Sequence, residues 1–146
     1  MSAECFLDTN IFLYAAMGRY SEARKYECAR ALVASKEYST STQVLAEFYV
    51  NSQKMKNAVK PLSATDAAKW IMAISRKPCQ DIDSAIVMHG IENAQRYKIS
   101  YWDGAIIAAA KRLGVKTLYS EDLNSGQYYG DVLVINPFKE DIKTFQ

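Results

Sequence analysis

Histidine and cysteine, the side chains that most often hold zinc or supply a nucleophile and its base, are scarce in this sequence. There is one histidine, His89, and there are three cysteines, Cys5, Cys28 and Cys79, with no CxxC pair. An odd cysteine count without metal-ligand spacing leaves no zinc ribbon or redox pair, and fits reduced thiols in a cytosolic protein. None of the cysteines adjoins a histidine or a basic motif, so a thiol nucleophile lacks support. His89 stands mid-helix beside Met88, away from any acidic motif, which suits a structural or surface role. Neither GxxxxGK[ST] nor GxGxxG occurs, so no loop for cradling nucleotide phosphates is signalled. No apolar run reaches the roughly 18 residues of a membrane helix. The opening "MSAECFLD" lacks the basic region of a signal peptide. The expectation is a soluble, cytoplasmic protein without a membrane partner. Charge of one sign is also lacking: the net value is +2, which permits a nucleic-acid partner without arguing for one. Repeats, linkers and low-complexity tracts are absent. The 146 residues, 49% hydrophobic, suffice for a real core and read as a single domain over 1–146.

Short apolar runs alternate with amphipathic ones. "AECFLD" reads as a buried strand over 3–7, followed by a helix with Asn10 as its N-cap. Ser21 to Ser35 reads as a second helix with Tyr26, Ala29, Leu32 and Val33 on its apolar face. "EYST" is a brief strand, and Thr40 to Gln43 resembles a capping box opening a helix to about Met55. Pro61 breaks the chain, and Ser63 with Asp66 opens a helix that Pro78 stops. "CQDI" is a short strand. Ser84 to Tyr97 is helical, with Val87, Ile91 and Ala94 as its apolar stripe. Ser100 caps "YWDGAIIAAAKRLG", which Gly114 ends. "VKTLYS" and residues 132–135 are strands, with a loop between them. The alternation predicts an α/β fold: a mainly parallel sheet with helices on both faces.

In such a sheet, ligands bind beyond the carboxyl ends of the strands. Asp8 follows the first strand directly, and Asp122, with Glu121 beside it, follows "KTLY" in the same way. Glu47 and Asp103 lie in the early turns of helices, whose N-termini face the same edge. Each acid also has an ordinary explanation. Asp8 can cap the next helix, Asp103 can complete a capping box with Ser100, Asp122 can be a turn residue, and Glu47 can lie on a solvated face. Taken together, four carboxylates in one cleft repel one another, and hard divalent cations relieve that repulsion. Two such ions about 4 Å apart can activate water and stabilise a phosphate leaving oxygen. Acids without histidine or cysteine argue against zinc.

"FLDTN", "QVLAEF", "YWDGAIIAAA" and "LYSEDLNSGQ" resemble the four acidic motifs of PIN-domain ribonucleases, and among them the VapC-type toxins of bacterial toxin–antitoxin pairs. The likeness runs from Asp8 to the final strand. It implies a three-layer α/β/α sandwich around a mainly parallel sheet. It also implies Mg²⁺- or Mn²⁺-dependent hydrolysis of RNA by water, leaving 5′-phosphate and 3′-hydroxyl ends. By position, Asp8, Glu47, Asp103 and Asp122 match the catalytic and metal-binding quartet. Asn10 matches a polar residue that supports the first acid, and Ser120 one that steadies the loop of the fourth. Either Glu121 or Asp122 can face the metal, and Asn124 and Gln127 are candidates for water contacts. The resemblance further implies a homodimer and an antitoxin protein partner.

Lys54, Lys56 and Lys60 extend the Glu47 helix and are candidate RNA contacts, although a solvated helix face explains them as well. Arg19, Arg24 and Lys25 form a second basic cluster with the same alternative. Tyrosines and tryptophans offer stacking surfaces for bases, but Trp70 and others suit the core or an interface. Three rival functions stay open. A haloacid-dehalogenase-type phosphatase also opens with an Asp after an apolar strand, but wants a second Asp where this chain has Asn10. A PIN-like binding module without catalysis would have no need of all four acids. A PIN nuclease of RNA processing would lack a small partner gene upstream.

Overall fold

The computed structural model describes residues 3–55 and 59–139. The strands are β1 (Cys5–Leu7), β2 (Tyr38–Ser41), β3 (Cys79–Gln80), β4 (Thr117–Tyr119), β5 (Tyr128–Tyr129) and β6 (Val132–Ile135). The helices are α1 (Thr9–Met17), α2 (Ala23–Ser35), α3 (Thr42–Ser52), α4 (Ala64–Ser75), α5 (Ser84–Tyr97) and α6 (Tyr101–Leu113). They form one six-stranded sheet in the order β3-β2-β1-β4-β6-β5, parallel except for β5 against β6. Helices flank this sheet in an α/β/α arrangement. α1 packs on α2 and α3, while α6 packs on α5 and reaches β2, β3 and β6. Among the described residues no helix is long and apolar enough to cross a membrane.

The central strand is apolar throughout because both of its faces are covered: Cys5, Phe6 and Leu7 are all buried. Beside it, β2 is buried yet polar, and it is satisfied by its own hydroxyls. Ser39 donates to the Cys5 carbonyl at 2.9 Å and Thr40 to the Leu7 carbonyl at 3.2 Å. No buried side-chain polar atom among the described residues lacks a hydrogen-bond partner.

The chain leaves β1 toward β2 on one side and reaches β4 on the other, so strand order reverses between β1 and β4. A crevice opens at the carboxyl ends of strands where such a reversal occurs. Asp8 and residues 120–122 lie there, joined by the Asp8 N–H donating to the Tyr119 carbonyl at 3.1 Å.

Several local expectations are corrected. The N-cap of α1 is Asp8, not Asn10: its backbone is extended and its carboxylate accepts from the Thr9 N–H at 2.7 Å. β1 is short enough that the turn comes at once, which leaves the Asn10 amide to reach across the crevice. Thr40 opens no capping box, because its hydroxyl donates to the Leu7 carbonyl; Ser41, the last residue of β2, caps α3 by accepting from the Val44 N–H, and the helix stops at Ser52. α2 begins at Ala23 without a side-chain cap, not at Ser21. The stretch 128–129, expected within a loop, is an edge strand.

On α5 the expected stripe is displaced. Ile86, Gly90 and Asn93 are buried, while Val87 and Ile91 are 36% and 40% exposed. Close approach to α6 explains this. A Cβ on Gly104 would collide with the Gly90 carbonyl oxygen, and one on Gly90 would lie 2.9 Å from the Tyr101 ring. Backbone packs on backbone there, so the buried face centres on Gly90 instead of on Val87 and Ile91. Other caps stand as expected. Ser63 accepts from the Asp66 N–H at 3.0 Å, Ser100 from the Asp103 N–H at 3.1 Å, and Gly114 ends α6 with φ of 76°.

Candidate active site

The crevice between β1 and β4 is organised around Asp8, which is 3% exposed. One carboxylate oxygen takes the Thr9 N–H, and the other accepts from the Ser120 hydroxyl at 2.8 Å. Burial pushes this carboxyl up from an ordinary 3.8 to about 7. The two hydrogen bonds oppose the rise, and the neighbouring charges of Asp122 and Glu47 add to it. Asp8 does cap the helix, as its ordinary explanation required, but a cap is commonly exposed and this one is not.

The next residues spread the cluster. The Thr9 hydroxyl donates to Glu47 Oε2 at 3.3 Å, which brings α3 to the first turn of α1. The Asn10 amide donates to both Asp122 oxygens at 3.3 Å. Ser120, buried at the end of β4, serves both sides: it donates to Asp8 and accepts from the Asp122 N–H at 3.2 Å. Asp8, Glu47 and Asp122 are thereby linked through Thr9, Asn10 and Ser120.

Asp103 stands somewhat apart, in the first turn of α6. Burial pushes its carboxyl above the ordinary range, against the Ser100 hydroxyl. Gln43 joins α3 to the residue before Asp103: its amide donates to Glu47 Oε1 at 2.7 Å and to the Trp102 carbonyl at 3.1 Å. Gln43 and Thr9 each hold one Glu47 oxygen; from sequence Gln43 is expected only in a capping role and Thr9 in none. The Gln43–Glu47 spacing of four residues on one helix was a readable signal.

The adjacent acids after Ser120 take different partners, and both line the same groove. Asp122 faces Asn10, whereas Glu121 accepts from the Tyr14 hydroxyl at 2.8 Å and from Lys25 Nζ at 2.7 Å. The bond to Glu121 raises the Lys25 ammonium further above its ordinary value. Asn124 donates to Gln127 at 3.1 Å, so these two loop residues engage each other.

An open groove of about 630 Å³ runs from Asn10, Glu47 and Asp122 past Leu13 and Met17 to Lys54. Of the basic residues on the Glu47 side, Lys54 lines this groove, Lys60 is exposed outside its lining, and Lys56 lies outside the described residues. The other basic cluster is engaged locally. Arg24 donates to the Phe138 carbonyl at 2.9 Å, and Arg19 lies over the Tyr20 ring. His89 is on the surface, 3.5 Å from Glu92. Trp70 packs at a tilt on Phe48. Burial pushes all three thiols up, Cys5 to about 12, which leaves them poor nucleophiles.

The donors at the crevice are carboxylate, hydroxyl and amide oxygens, the kind a hard divalent cation takes. A buried carboxyl held near 7 with two acids beside it is the arrangement such a charge would relieve. Among the described residues no three acids, histidines or cysteines stand together closely enough to hold an ion as they are. The fit is therefore one of donor chemistry and clustering.

The family model of the PIN domain matches residues 5–129. No curated protein sequence matches the chain. Among solved structures, it is similar to VapC20 of Mycobacterium tuberculosis, a toxin described as cleaving the sarcin–ricin loop. The TM-score is 0.65 at 22% identity, over 81% of this chain and 89% of that one. A toxin–antitoxin complex from Klebsiella pneumoniae matches with TM-score 0.63 at 19% identity, over 91% and 97%. VapBC2 from Rickettsia felis, bound to a DNA fragment from its promoter, matches with TM-score 0.57 at 18% identity, over 89% and 96%.

Proposed function

The chain belongs to the PIN-domain family, and from that premise we propose that it is a metal-dependent endoribonuclease, the toxin of a toxin–antitoxin pair. One observation carries the reading: Asp8 is buried at the β1/β4 crevice and is linked to Glu47 and Asp122 through Thr9, Asn10 and Ser120. A purely structural cap would be less buried and less crowded. PIN nucleases generally use divalent metals, and oxygen donors favour Mg²⁺ or Mn²⁺ here. Asp8, Glu47, Asp103 and Asp122 are the residues that would hold the ion. When bound, it supplies an acidified water for attack and positive charge at the phosphate.

The chain's own residues do the arranging. Ser120 and the Thr9 N–H fix both oxygens of Asp8, so that its carboxylate keeps one orientation. Thr9 and Gln43 do the same for Glu47, and Asn10 for Asp122. Lys54 stands along the groove where a phosphodiester backbone would leave the crevice, and its charge favours an RNA strand there. Lys60, exposed outside the groove lining, adds to the basic charge on that side. No protein nucleophile is required.

The antitoxin partner rests on similarity to toxin–antitoxin complexes. A homodimer is supported by Val87, Met88 and Ile91, which lie exposed on α5. The cytoplasm, where RNA is met, is the proposed location.

Purified protein incubated with total RNA and Mg²⁺ or Mn²⁺ should produce discrete fragments with 5′-phosphate ends. Excess chelator should stop the reaction, and the product of a small gene lying immediately upstream should inhibit it. Cleavage that persists in chelator would rule out the metal mechanism. Light scattering on the same sample should read about twice the 16.4 kDa chain mass; a monomer would remove the dimer.

A further inference from the structure

We propose that Lys25 and Tyr14 clamp Glu121 away from the acid cluster and thereby position Asp122, which makes Lys25 a positioning residue for the metal site. The inference rests on the nuclease reading and adds to it a residue from α2, an element that carries none of the four acids.

Glu121 and Asp122 are consecutive, and the loop after β4 could present either to Asp8. Both Glu121 oxygens are taken one turn along α1 from Asn10: Oε1 accepts from Tyr14, and Oε2 from Lys25. Lys25 also donates to the Tyr14 hydroxyl at 3.2 Å. The ammonium is seated among aromatic rings, 5.0 Å from the Tyr14 centroid and 5.7 Å from that of Phe138. Those two rings meet edge to face at 5.0 Å, and the neighbouring Arg24 holds the Phe138 carbonyl. Four parts of the chain therefore meet at Lys25: α1, α2, the loop after β4 and the segment after β6.

Two consequences follow for the crevice. A third acid near Asp8 would add repulsion and compete with Asp122 for a cation, and pairing with Lys25 removes it from both roles. With Glu121 held at Tyr14, the Asn10 position one turn earlier on α1 is left to Asp122, whose N–H rests on Ser120. The ion pair is partly exposed, at 30% and 25%, so its worth as stabilisation is small and its effect belongs in the site.

The test uses the full chain with Lys25→Met, Lys25→Arg and Tyr14→Phe. Mn²⁺ affinity is measured by calorimetry, and the Mn²⁺ concentration for half-maximal RNA cleavage is measured beside it. Partners that orient metal ligands typically matter by 10–100-fold in affinity. Lys25→Met should weaken Mn²⁺ binding about tenfold while the melting temperature in chelator stays close to wild type. Lys25→Arg, which keeps the charge and can still reach the carboxylate, should recover most of that loss. Tyr14→Phe removes one hydrogen bond and keeps the ring, so a smaller weakening of a few fold is expected even if Lys25→Met fails to fold. Unchanged Mn²⁺ affinity in Lys25→Met and Tyr14→Phe, with wild type binding and cutting normally, would overturn the clamp alone. So would a Lys25→Met variant whose only defect is a salt-sensitive rise in KM for RNA, since Lys25 would then be a phosphate contact. A wild-type protein that neither binds Mn²⁺ nor cuts RNA would overturn the nuclease reading itself.

Discussion

Asp8→Asn is expected to slow RNA cleavage by at least about a hundredfold, the upper range for losing even an indirect metal partner, and yet to make the metal-free protein more stable at pH 8. The second effect follows from the displaced titration of Asp8, from 3.8 to about 7. Between those values the folded chain keeps a proton that the unfolded chain has released. Wild-type stability therefore falls as pH rises from about 4 to about 7 and is flat above. The displacement corresponds to at most about 4 kcal/mol against the charged folded state. Asparagine never carries the charge. Its carbonyl can accept from the Thr9 N–H, and its amide can donate to the buried Ser120 oxygen, although the Ser120 hydroxyl then gives up the acceptor it has in Asp8, which offsets part of the gain. A gain of about 1–4 kcal/mol at pH 8 in chelator should shrink toward nothing as pH is lowered to 4. Thermal melts across that range give the answer. A variant less stable than wild type at pH 8 would mean that the charge is already balanced without metal.

Gly104→Ala should cost about 1–3 kcal/mol through overpacking and lower activity beyond what the lost stability explains. The added methyl meets the Gly90 carbonyl oxygen, the Ala94 backbone nitrogen at 3.1 Å and Asn93 Cβ at 3.3 Å. The first two are backbone of α5, which cannot rotate aside as a side chain can. The helices must part, and Asn93, whose amide donates to the Gly104 carbonyl at 3.0 Å, must move with them. Asp103 precedes Gly104, so the shift displaces an acid of the proposed site. Gly114→Ala makes a fair control, because a Cβ there meets nothing within 4 Å and its cost is the positive φ alone. Urea unfolding of both variants, with cleavage assayed under folding conditions, separates the effects. A Gly104→Ala protein as stable and as active as wild type would show that the two helices have room to give.

Where the sequence could be read, the reading depended on local chemistry. Asp8 and Asp122 were candidates because each ends an apolar strand run, and Asp103 because it lies in the first turn of a helix whose N-terminus faces the same edge. The alternation of runs was enough for a parallel sheet with its crevice at that edge. Thr40 and Ser41 were confused because both are hydroxyl residues of one strand end, and only the Leu7 carbonyl across the sheet, which takes the Thr40 hydroxyl, leaves the cap to Ser41. The α5 stripe was misplaced because the burying surface is glycine, which hydrophobic periodicity does not register. Tyr128 and Tyr129 pair only with β6 at the sheet edge, so two residues gave too short a pattern. The Lys25–Glu121 pair, 96 positions apart, has no local signature at all.

The bond between Ser120 and Asp8 spans 112 positions of sequence, and β1 pairs with β4 over nearly the same distance. Such contacts close late, since the chain between them must first be ordered. During translation the N-terminal part of a chain emerges and begins to fold first. A nascent chain that has left the ribosome only as far as β3 carries Asp8, Thr9, Gln43 and Glu47, but neither Asp103 nor the Ser120–Asp122 turn. The centre of its sheet has an open edge where β4 belongs, and its first acid lacks the hydroxyl that orients it. A cell making an RNA-cutting protein of this design does not meet the finished crevice until most of the chain has been synthesised. The interleaved order of strands thus separates the making of the chain from its activity in time.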